Sequence, residues 1–243
     1  MILDRDEVAS HERSTLILML FLLGVLVFHP LFGGQAFESR EFNVLNGIGL
    51  VISLFSLRGN RQVTKIAAWL ALPCLLLNGF AMWQPLSPNV DLFGHALLIV
   101  FYAVVTWGIL QHIIFSHSIR VRRETLYESV CVYLLLGLLW GTLYSFIEHL
   151  SPGSFHLAPD SYSGALGWSD FLYHSFVTLT TVGYGDLVPV APMARSFTVL
   201  EAVAGVFYTT ALIARLVSVY RPEESDVVMP VQRSKKTPQP YEV

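Results

Sequence analysis

Long apolar stretches alternate with short polar ones along most of this 243-residue chain. A helix that crosses a bilayer needs roughly 20 predominantly apolar residues. Six stretches approach or exceed that length: Ser14 to Leu31, Phe42 to Leu57, Thr64 to Trp83, Leu92 to Phe115, Leu126 to Glu148 and Pro192 to Tyr220. The second is short, so we expect flanking residues such as Arg58 to reach the interface from its end. The pattern predicts an all-α membrane protein with six transmembrane helices.

The composition supports the same class. Hydrophobic residues make up 53% of the chain and charged residues only 14%, with a mean hydropathy of +0.56, whereas a soluble domain carries about a quarter charged residues. Cys74 and Cys131 both lie inside apolar stretches, where they are expected to pack as small hydrophobes rather than to form a disulfide or a zinc site. The residues before the first span are rich in acids and do not resemble a signal peptide, so this span is predicted to be a retained helix.

The basic residues favour one orientation across the membrane. If the N-terminus is cytoplasmic, only Arg40 and Arg195 lie outside, and Arg215 lies near the inner end of the last helix. The inner ones are Arg5, Arg13, Arg58, Arg61, Lys65, Arg120, Arg122, Arg123, Arg221, Arg233, Lys235 and Lys236. This positive-inside bias predicts a multi-pass protein of the cell (inner) membrane with both termini cytoplasmic. An even number of crossings is then required, and six satisfies it.

The spans divide the chain into four parts. We expect a cytoplasmic N-terminus at residues 1–13, a four-helix transmembrane domain at 14–123, a pore module at 124–221 and a cytoplasmic tail at 222–243. The tail has four prolines, mixed charge and no periodicity, so it is predicted to be disordered.

The segment between the fifth and sixth spans starts and finishes on the outer face. Its first part is turn-rich and polar and predicts an outer loop. The stretch WSDFLYHSFVTLT, residues 168–180, then has helical spacing for about three turns, with Ser169 and Asp170 as the expected cap. A helix of that length cannot cross, so it must enter and return. Irregular backbone is tolerated at such depth only where protein or water surrounds it.

The return leg is TLTTVGYGDLVP, from Thr178 to Pro189. Gly183 and Gly185 can adopt backbone angles that are closed to other residues, which lets successive carbonyls point the same way. Thr181 adds a hydroxyl oxygen at the inner end, while Val182 and Tyr184 are expected to direct their side chains outward against the short helices. The carbonyls can then replace water around a cation, and the negative ends of the helix dipoles favour a cation in the cavity below.

The run TTVGYGD resembles the filter signature of potassium channels, which are the established example of selectivity by rings of backbone carbonyls. The resemblance extends from about Leu126 to Tyr220 and includes the spacing found in bacterial potassium channels. It implies a K⁺-selective channel without a cofactor, in which four copies form one pore because each chain supplies one motif. The residues it implies are the K⁺-binding filter Thr181, Val182, Gly183, Tyr184 and Gly185, the gating hinge Gly205, and the cavity-lining Val206, Thr209 and Ile213.

Three residues are expected to support the filter: Thr178, Asp186 and Glu201. Glu201 lies in the outer half of the last span, where an unpaired carboxylate is costly. It either hydrogen-bonds to pore-helix groups such as Thr178 or Ser175 and stabilises the filter, or it is protonated or paired structurally between subunits. Val177 stands where some family members carry an acid, so a partner for the Asp186 network must come from elsewhere. Thr209 also has a second interpretation, since threonine in a membrane helix often bonds its own backbone.

The fourth span does not have the pattern of a voltage sensor. It contains no Lys or Arg, and each charge that crosses the field contributes only about 2.3 kcal/mol per 100 mV. Steep voltage dependence is therefore not expected. Arg120, Arg122 and Arg123 follow this span and are interpreted as positive-inside anchors or as contacts for anionic lipid head groups. The gating stimulus and the role of the first four helices are not encoded in any pattern we recognise.

The sequence also allows interpretations other than a potassium channel. VGYGD also suits an ordinary turn, and a non-selective cation channel is the nearest rival function. His95, His112 and His117 bracket the fourth span and suggest a di-histidine haem protein, although His95 and His112 are too far apart on one helix to share an iron, so a partner such as His29 is needed. No nucleophile–base pair, phosphate loop or nucleic-acid-binding pattern is present, so the chain is predicted not to be an enzyme.

Overall fold

The computed structural model describes residues 5–31, 40–57, 61–84, 86–115, 123–158 and 166–219. Seven helices and two short strands make up this part of the chain. In order they are α1 (Arg5–Leu31), α2 (Arg40–Ser56), α3 (Arg61–Ala81), α4 (Pro88–Phe115), α5 (Arg123–Leu150), β1 (Phe155–Leu157), α6 (Trp168–Leu179), β2 (Leu187–Pro189) and α7 (Pro192–Val219).

The helices define an all-α, multi-pass membrane protein, as predicted. Within the described ranges, four of them are long and apolar enough to cross a membrane, and α2 contributes a shorter apolar stretch from Asn43 to Ser56. The four are the segments Arg61–Ala81, Pro88–Ile114, Thr125–Leu150 and Pro192–Arg215. The number of crossings and the orientation of the termini stay predictions.

Three of the six predicted spans, the first, the fourth and the fifth, were shorter than the helices that contain them. The first helix begins at Arg5 rather than near Ser14, so it includes the charged segment that was assigned to the cytoplasmic N-terminus. The reason is that hydropathy marks only the apolar part of a helix, whereas backbone hydrogen bonding continues into polar sequence. Arg120, Arg122 and the tail at 222–243 lie outside the described residues, and the side chain of Arg123 is also not described.

Helix α5 is the centre of the packing. It contacts α4, α1, the pore helix α6 and the inner helix α7. Its buried residues Cys131, Val132 and Leu135 join a core with Phe101 and Val105 of α4. Both cysteines are buried free thiols, which confirms their interpretation as small core residues. The outer helix of the pore module is therefore held by the preceding helices on one side and by the pore helix on the other.

Two glycines let the pore helix approach α5 closely. A Cβ at Gly141 would lie 3.0 Å from the Cα of Leu172, and a Cβ at Gly137 would lie 2.3 Å from the ring of Phe176. These residues are four apart and so occupy one face of α5. The spacing Gly-x-x-x-Gly is a known way for membrane helices to bring backbones together. Here it fixes the position of the short helix that leads into the filter.

A two-stranded antiparallel sheet joins the loop before the pore helix to the segment after the filter. β1 pairs with β2, with Phe155 opposite Pro189 and Leu157 opposite Leu187. The sequence predicted only an irregular outer loop here. Strands of three residues are too short to show the alternation that identifies a strand from sequence. The pairing closes the outer end of the pore module.

Candidate functional site: a re-entrant pore helix and filter

The predicted pore helix is α6, which runs for 12 residues and is therefore too short to cross a membrane. It begins at Trp168, and Gly167 occupies the cap position. Asp170 lies within the first turn, and its Oδ2 accepts a hydrogen bond from the Gly167 N–H at 2.8 Å. The predicted cap at Ser169 is therefore wrong by two residues. Asp170 does stabilise the helix start, since an acid there meets the positive end of the helix dipole.

The sign of the φ angle alternates from residue to residue along the filter backbone. Thr181, Gly183 and Gly185 have φ angles of 61°, 59° and 78°, whereas Val182 and Tyr184 between them do not have positive φ. Thr181 is the only non-glycine residue with positive φ in the described part of the chain. A β-branched residue in this region is strained, and such strain clusters at functional sites. Gly183 and Gly185 thus have backbone angles that other residues rarely adopt, as the sequence predicted, whereas the direction of their carbonyls stays a prediction.

The inner end of the filter is tied to the last turn of the pore helix. The carbonyl oxygen of Val177 accepts hydrogen bonds from the N–H groups of Val182 at 3.0 Å and Gly183 at 3.3 Å, and that of Thr178 accepts one from Thr181 at 3.0 Å. Thr178 thus supports the filter through its backbone. In contrast, residues 180–185 are all exposed in the single chain.

The outer end of the filter is held by a tyrosine that the sequence analysis did not identify. The Tyr173 hydroxyl donates to Asp186 Oδ2 at 2.7 Å, and Asp186 Oδ1 accepts from the Leu187 N–H at 3.0 Å. The ring of Tyr173 also lies parallel to that of Tyr184, with centroids 6.5 Å apart. The partner of Asp186 is therefore a pore-helix phenol, consistent with the absence of an acid at Val177.

Glu201 is completely buried behind the pore helix. Ser175 Oγ lies 2.5 Å from its Oε1, and the Tyr144 hydroxyl donates to its Oε2. Both partners are themselves fully buried. The expected link between Glu201 and the pore helix is present at Ser175, whereas Thr178 is not its partner. The carboxyl group joins three helices, α5, α6 and α7, at one point.

The hydroxyl of Ser175 has two acceptors within reach but only one proton. Besides Glu201, it lies 3.0 Å from the carbonyl oxygen of Gly137. If that proton goes to Gly137, the hydrogen bond to Glu201 requires a protonated carboxyl group that donates to Ser175. Because each buried hydroxyl needs a partner, the network depends on hydrogen-bonding capacity at Glu201 rather than on charge alone.

The inner helix α7 continues through the predicted hinge as regular α-helix. A Cβ at Gly205 would lie 2.8 Å from the carbonyl oxygen of Leu179, so this glycine permits close packing against the end of the pore helix. Thr209 Oγ1 donates to the Gly205 carbonyl at 3.0 Å, which is the backbone bond expected as its second interpretation. Val206 and Ile213 remain exposed. Their roles in a cavity, and that of Gly205 in gating, stay predictions.

The histidines are engaged with protein groups. His112 Nδ1 lies 2.8 Å from Glu128 Oε1, and His95 Nδ1 lies 3.0 Å from the Asp91 carbonyl. In the described ranges, no group of three or more His, Cys, Asp or Glu side chains is arranged to hold a metal ion. His117 lies outside those ranges, and the side chain of His29 is not described. These distances give the haem alternative no support.

Two site residues were missed, Tyr144 and Tyr173. A signal for Tyr144 exists: Gly137, Gly141 and Tyr144 are spaced by four and three residues, which places them on the α5 face that meets the pore helix. Tyr173 offers no comparable signal, because its bond to Asp186 depends on how the chain returns after the filter.

Helices α5 and α7, both of membrane-spanning length, pack against the short helix α6, which leads into an exposed backbone segment of alternating φ. Residues 132–221 match the family model described as "Ion channel". The chain is 41% identical to two-pore potassium channel 1 of Arabidopsis thaliana over 93 residues. These residues make up 37% of this chain and 22% of that protein. The chain is also 32% identical to the inward rectifier potassium channel Kirbac3.1 of Paramagnetospirillum magnetotacticum over 78 residues. These residues make up 30% of this chain and 22% of that protein. No solved structure matches the chain.

Part of the chain is therefore similar to ion channels, and the two relatives named here are potassium channels by description. It aligns with only about a fifth of the length of each of these relatives. The family model covers the part of the chain that carries the predicted filter, Glu201 and Gly205.

Proposed function

We propose that four copies of this chain assemble around one axis and conduct K⁺ passively and selectively through a filter formed by Thr181 to Gly185. The observation that carries the proposal is the alternation of positive and negative φ along these residues. Such alternation allows the carbonyls of consecutive residues to face one side, where four copies supply rings of oxygen that replace the hydration shell of a K⁺ ion. Both relatives named above are potassium channels by description.

The burial pattern supports assembly into a homotetramer. Thr180 to Gly185 are exposed in the single chain, and the side chain of Tyr184 is 71% exposed. Backbone of this kind is stable at membrane depth only when buried in protein or in contact with water. The inner helix α7 also presents an apolar face without a partner in the single chain. Its exposed residues are Val199, Leu200, Val203, Val206, Phe207 and Ile213.

Two further properties belong to the proposal. The absence of Lys and Arg from Leu92 to Phe115 gives α4 no gating charge, so we expect shallow voltage dependence. The basic residues of the sequence support a cell membrane location with both termini cytoplasmic. A non-selective cation channel is the alternative that the experiment below would reveal.

A flux assay on the full chain in liposomes tests the proposal. Vesicles loaded with K⁺ in K⁺-free medium should polarise and take up an indicator cation, and vesicles loaded with Na⁺ in Na⁺-free medium should not. Native mass spectrometry of the same preparation should give a mass of four chains. Equal uptake with both ions would replace the proposal with the non-selective channel, and a stable monomer or dimer would contradict the shared filter.

A further inference from the structure

A cavity of about 660 Å³ lies away from the filter, between α3, α4, α5 and the first residues of the pore helix. Its lining includes Asp91, His95, His149 and the aromatic side chains of Trp83 and Trp168. Pockets for small ligands occupy about 300–1,000 Å³ and combine apolar walls with a few convergent polar groups. The cavity is at the outer end of the molecule, because α5 runs from it directly into β1 beside the filter exit.

The two imidazoles present acceptor atoms to this cavity. His95 Nδ1 lies 3.0 Å from the Asp91 carbonyl, and His149 Nδ1 lies 2.7 Å from the Ser145 carbonyl. A carbonyl oxygen only accepts, so each ring carries its proton on Nδ1. The Nε2 atom of each neutral ring is then an acceptor. Ser145 Oγ lies 3.4 Å from Nε2 of His95, whereas Nε2 of His149 faces a carboxylate.

Two acceptors therefore meet at the rim of the cavity. His149 Nε2 lies 3.5 Å from Asp91 Oδ2, and these side chains are 47% and 39% exposed. The rings of His95 and His149 are close, with centroids 5.0 Å apart. When His149 is neutral, its Nε2 lone pair and the Asp91 carboxylate oxygen repel each other unless a cationic donor lies beside them. Protonation of His149 is the competing way to supply a donor to Asp91.

We propose that this cavity binds the primary ammonium group of an amphipathic amine. An ammonium nitrogen can lie about 2.9 Å from both acceptor atoms at once, since its three N–H groups diverge. Its positive charge is complementary to Asp91, and the indole rings of Trp83 and Trp168 suit both an apolar body and an adjacent cation. The amine can come from a free small molecule or from the headgroup of phosphatidylethanolamine, since the two share this chemistry.

The position of the cavity gives the ligand a structural role. Asp91 belongs to α4, His149 to α5 and Trp168 to the first turn of the pore helix. A bound amine would thus join the four-helix domain to the pore module at the level where the pore helix begins. Binding to the folded protein alone raises its stability by RT ln(1 + L/Kd), where L is the free ligand concentration.

The test uses the full chain in detergent at constant K⁺ and pH, with thermal unfolding followed by tryptophan fluorescence. Hexylammonium should raise the unfolding temperature, with a shift that grows with the logarithm of its concentration above the dissociation constant. Hexanol, which has the same chain without charge, should not. Asp91→Asn should weaken the apparent affinity at least about tenfold, as expected for the loss of a charge-assisted hydrogen bond. His149→Gln keeps an acceptor and should cost less. His156→Gln removes an exposed outer histidine of β1 and should change nothing.

Nanodiscs distinguish the two sources of the amine. If the lipid headgroup is the ligand, phosphatidylethanolamine should stabilise the wild type more than phosphatidylcholine does, because the ammonium group of phosphatidylcholine has no N–H donors. If it is not, the two lipids should stabilise the wild type equally. Stabilisation by hexylammonium alone assigns the site to free amines. If hexylammonium stabilises Asp91→Asn as much as the wild type, the amine binds elsewhere, for example in the pore, and the proposal is overturned. A response to Zn²⁺ or to acid but not to hexylammonium would also overturn it, in favour of a metal ion or a proton.

Discussion

The pore module and the four-helix domain are built from similar apolar helices but are constrained differently. In the pore module, individual residues meet specific demands: a positive φ at Gly183, a backbone contact at Gly205 and buried hydroxyl partners for Glu201. In α3, by contrast, a Cβ at Gly79 would meet nothing within 4 Å. The comparison teaches that this fold requires particular residues where a helix packs closely against its neighbour, where a residue has positive φ, or where a buried polar group needs a partner.

The largest effect is expected at the filter. Gly183→Ala should abolish conduction or selectivity, because φ is +59° there and a side chain strains this conformation even though space is available. Gly153→Ala is the matched control, since Gly153 also has positive φ, +84°, and open space around it but lies before β1. Liposome flux should be lost in the first variant and retained in the second. Equal loss in both would mean that backbone strain at any position, rather than filter geometry, is responsible.

The next effect concerns the buried carboxyl group. Glu201→Val removes the acceptor of the Tyr144 hydroxyl, at about 1–3 kcal/mol for an unsatisfied buried group, whereas the Ser175 hydroxyl keeps the Gly137 carbonyl as its acceptor. We expect unstable openings and a tetramer that dissociates at lower temperature. Glu201→Gln keeps the shape and can both donate to Ser175 and accept from Tyr144, so it should conduct almost normally.

Single-channel recording and thermal dissociation on gels measure these two properties of the Glu201 variants. If Gln is as damaging as Val, the charge of Glu201 matters and the hydrogen-bonding account fails. If neither variant differs from the wild type, Glu201 has no role in the filter.

A smaller effect separates close packing from hinge motion at Gly205. Gly205→Ala places a Cβ 2.8 Å from the Leu179 carbonyl oxygen and should destabilise the protein by about 1–3 kcal/mol. Gly79→Ala in α3 should be neutral or slightly stabilising, because alanine is the better helix former by up to about 1 kcal/mol. Denaturation of the two variants in parallel provides the measurement. A Gly205→Ala protein with wild-type stability but altered gating would favour the hinge over the packing role.

The smallest effect is expected from membrane voltage. Since α4 lacks Lys and Arg between Leu92 and Phe115, open probability should change only shallowly from strongly negative to strongly positive potentials. Planar-bilayer recordings over that range give the slope. A steep sigmoidal increase of open probability with voltage, equivalent to several gating charges, would contradict this expectation. It would show that the four-helix domain senses voltage without Lys or Arg in α4.

The sequence predicted those features that depend on residue type. Long apolar runs predicted the helices, and the glycines at 183 and 185 predicted positive φ, since both follow from local chemistry. Tyr173, Tyr144 and the β1–β2 pairing were missed because each depends on how segments distant in sequence meet. Thr181 shows the same limit: its positive φ is imposed by the filter and opposes the preference of a β-branched residue.

The most direct test of the central claim is the reversal potential of the purified full chain in a planar bilayer with K⁺ on one side and Na⁺ on the other. If four copies of Thr181 to Gly185 form rings of carbonyls, the potential should follow the K⁺ gradient and lie far from the value expected for equal permeability. Gly183→Ala should lose this displacement or carry no current. A wild-type reversal potential near zero under these conditions would contradict the account.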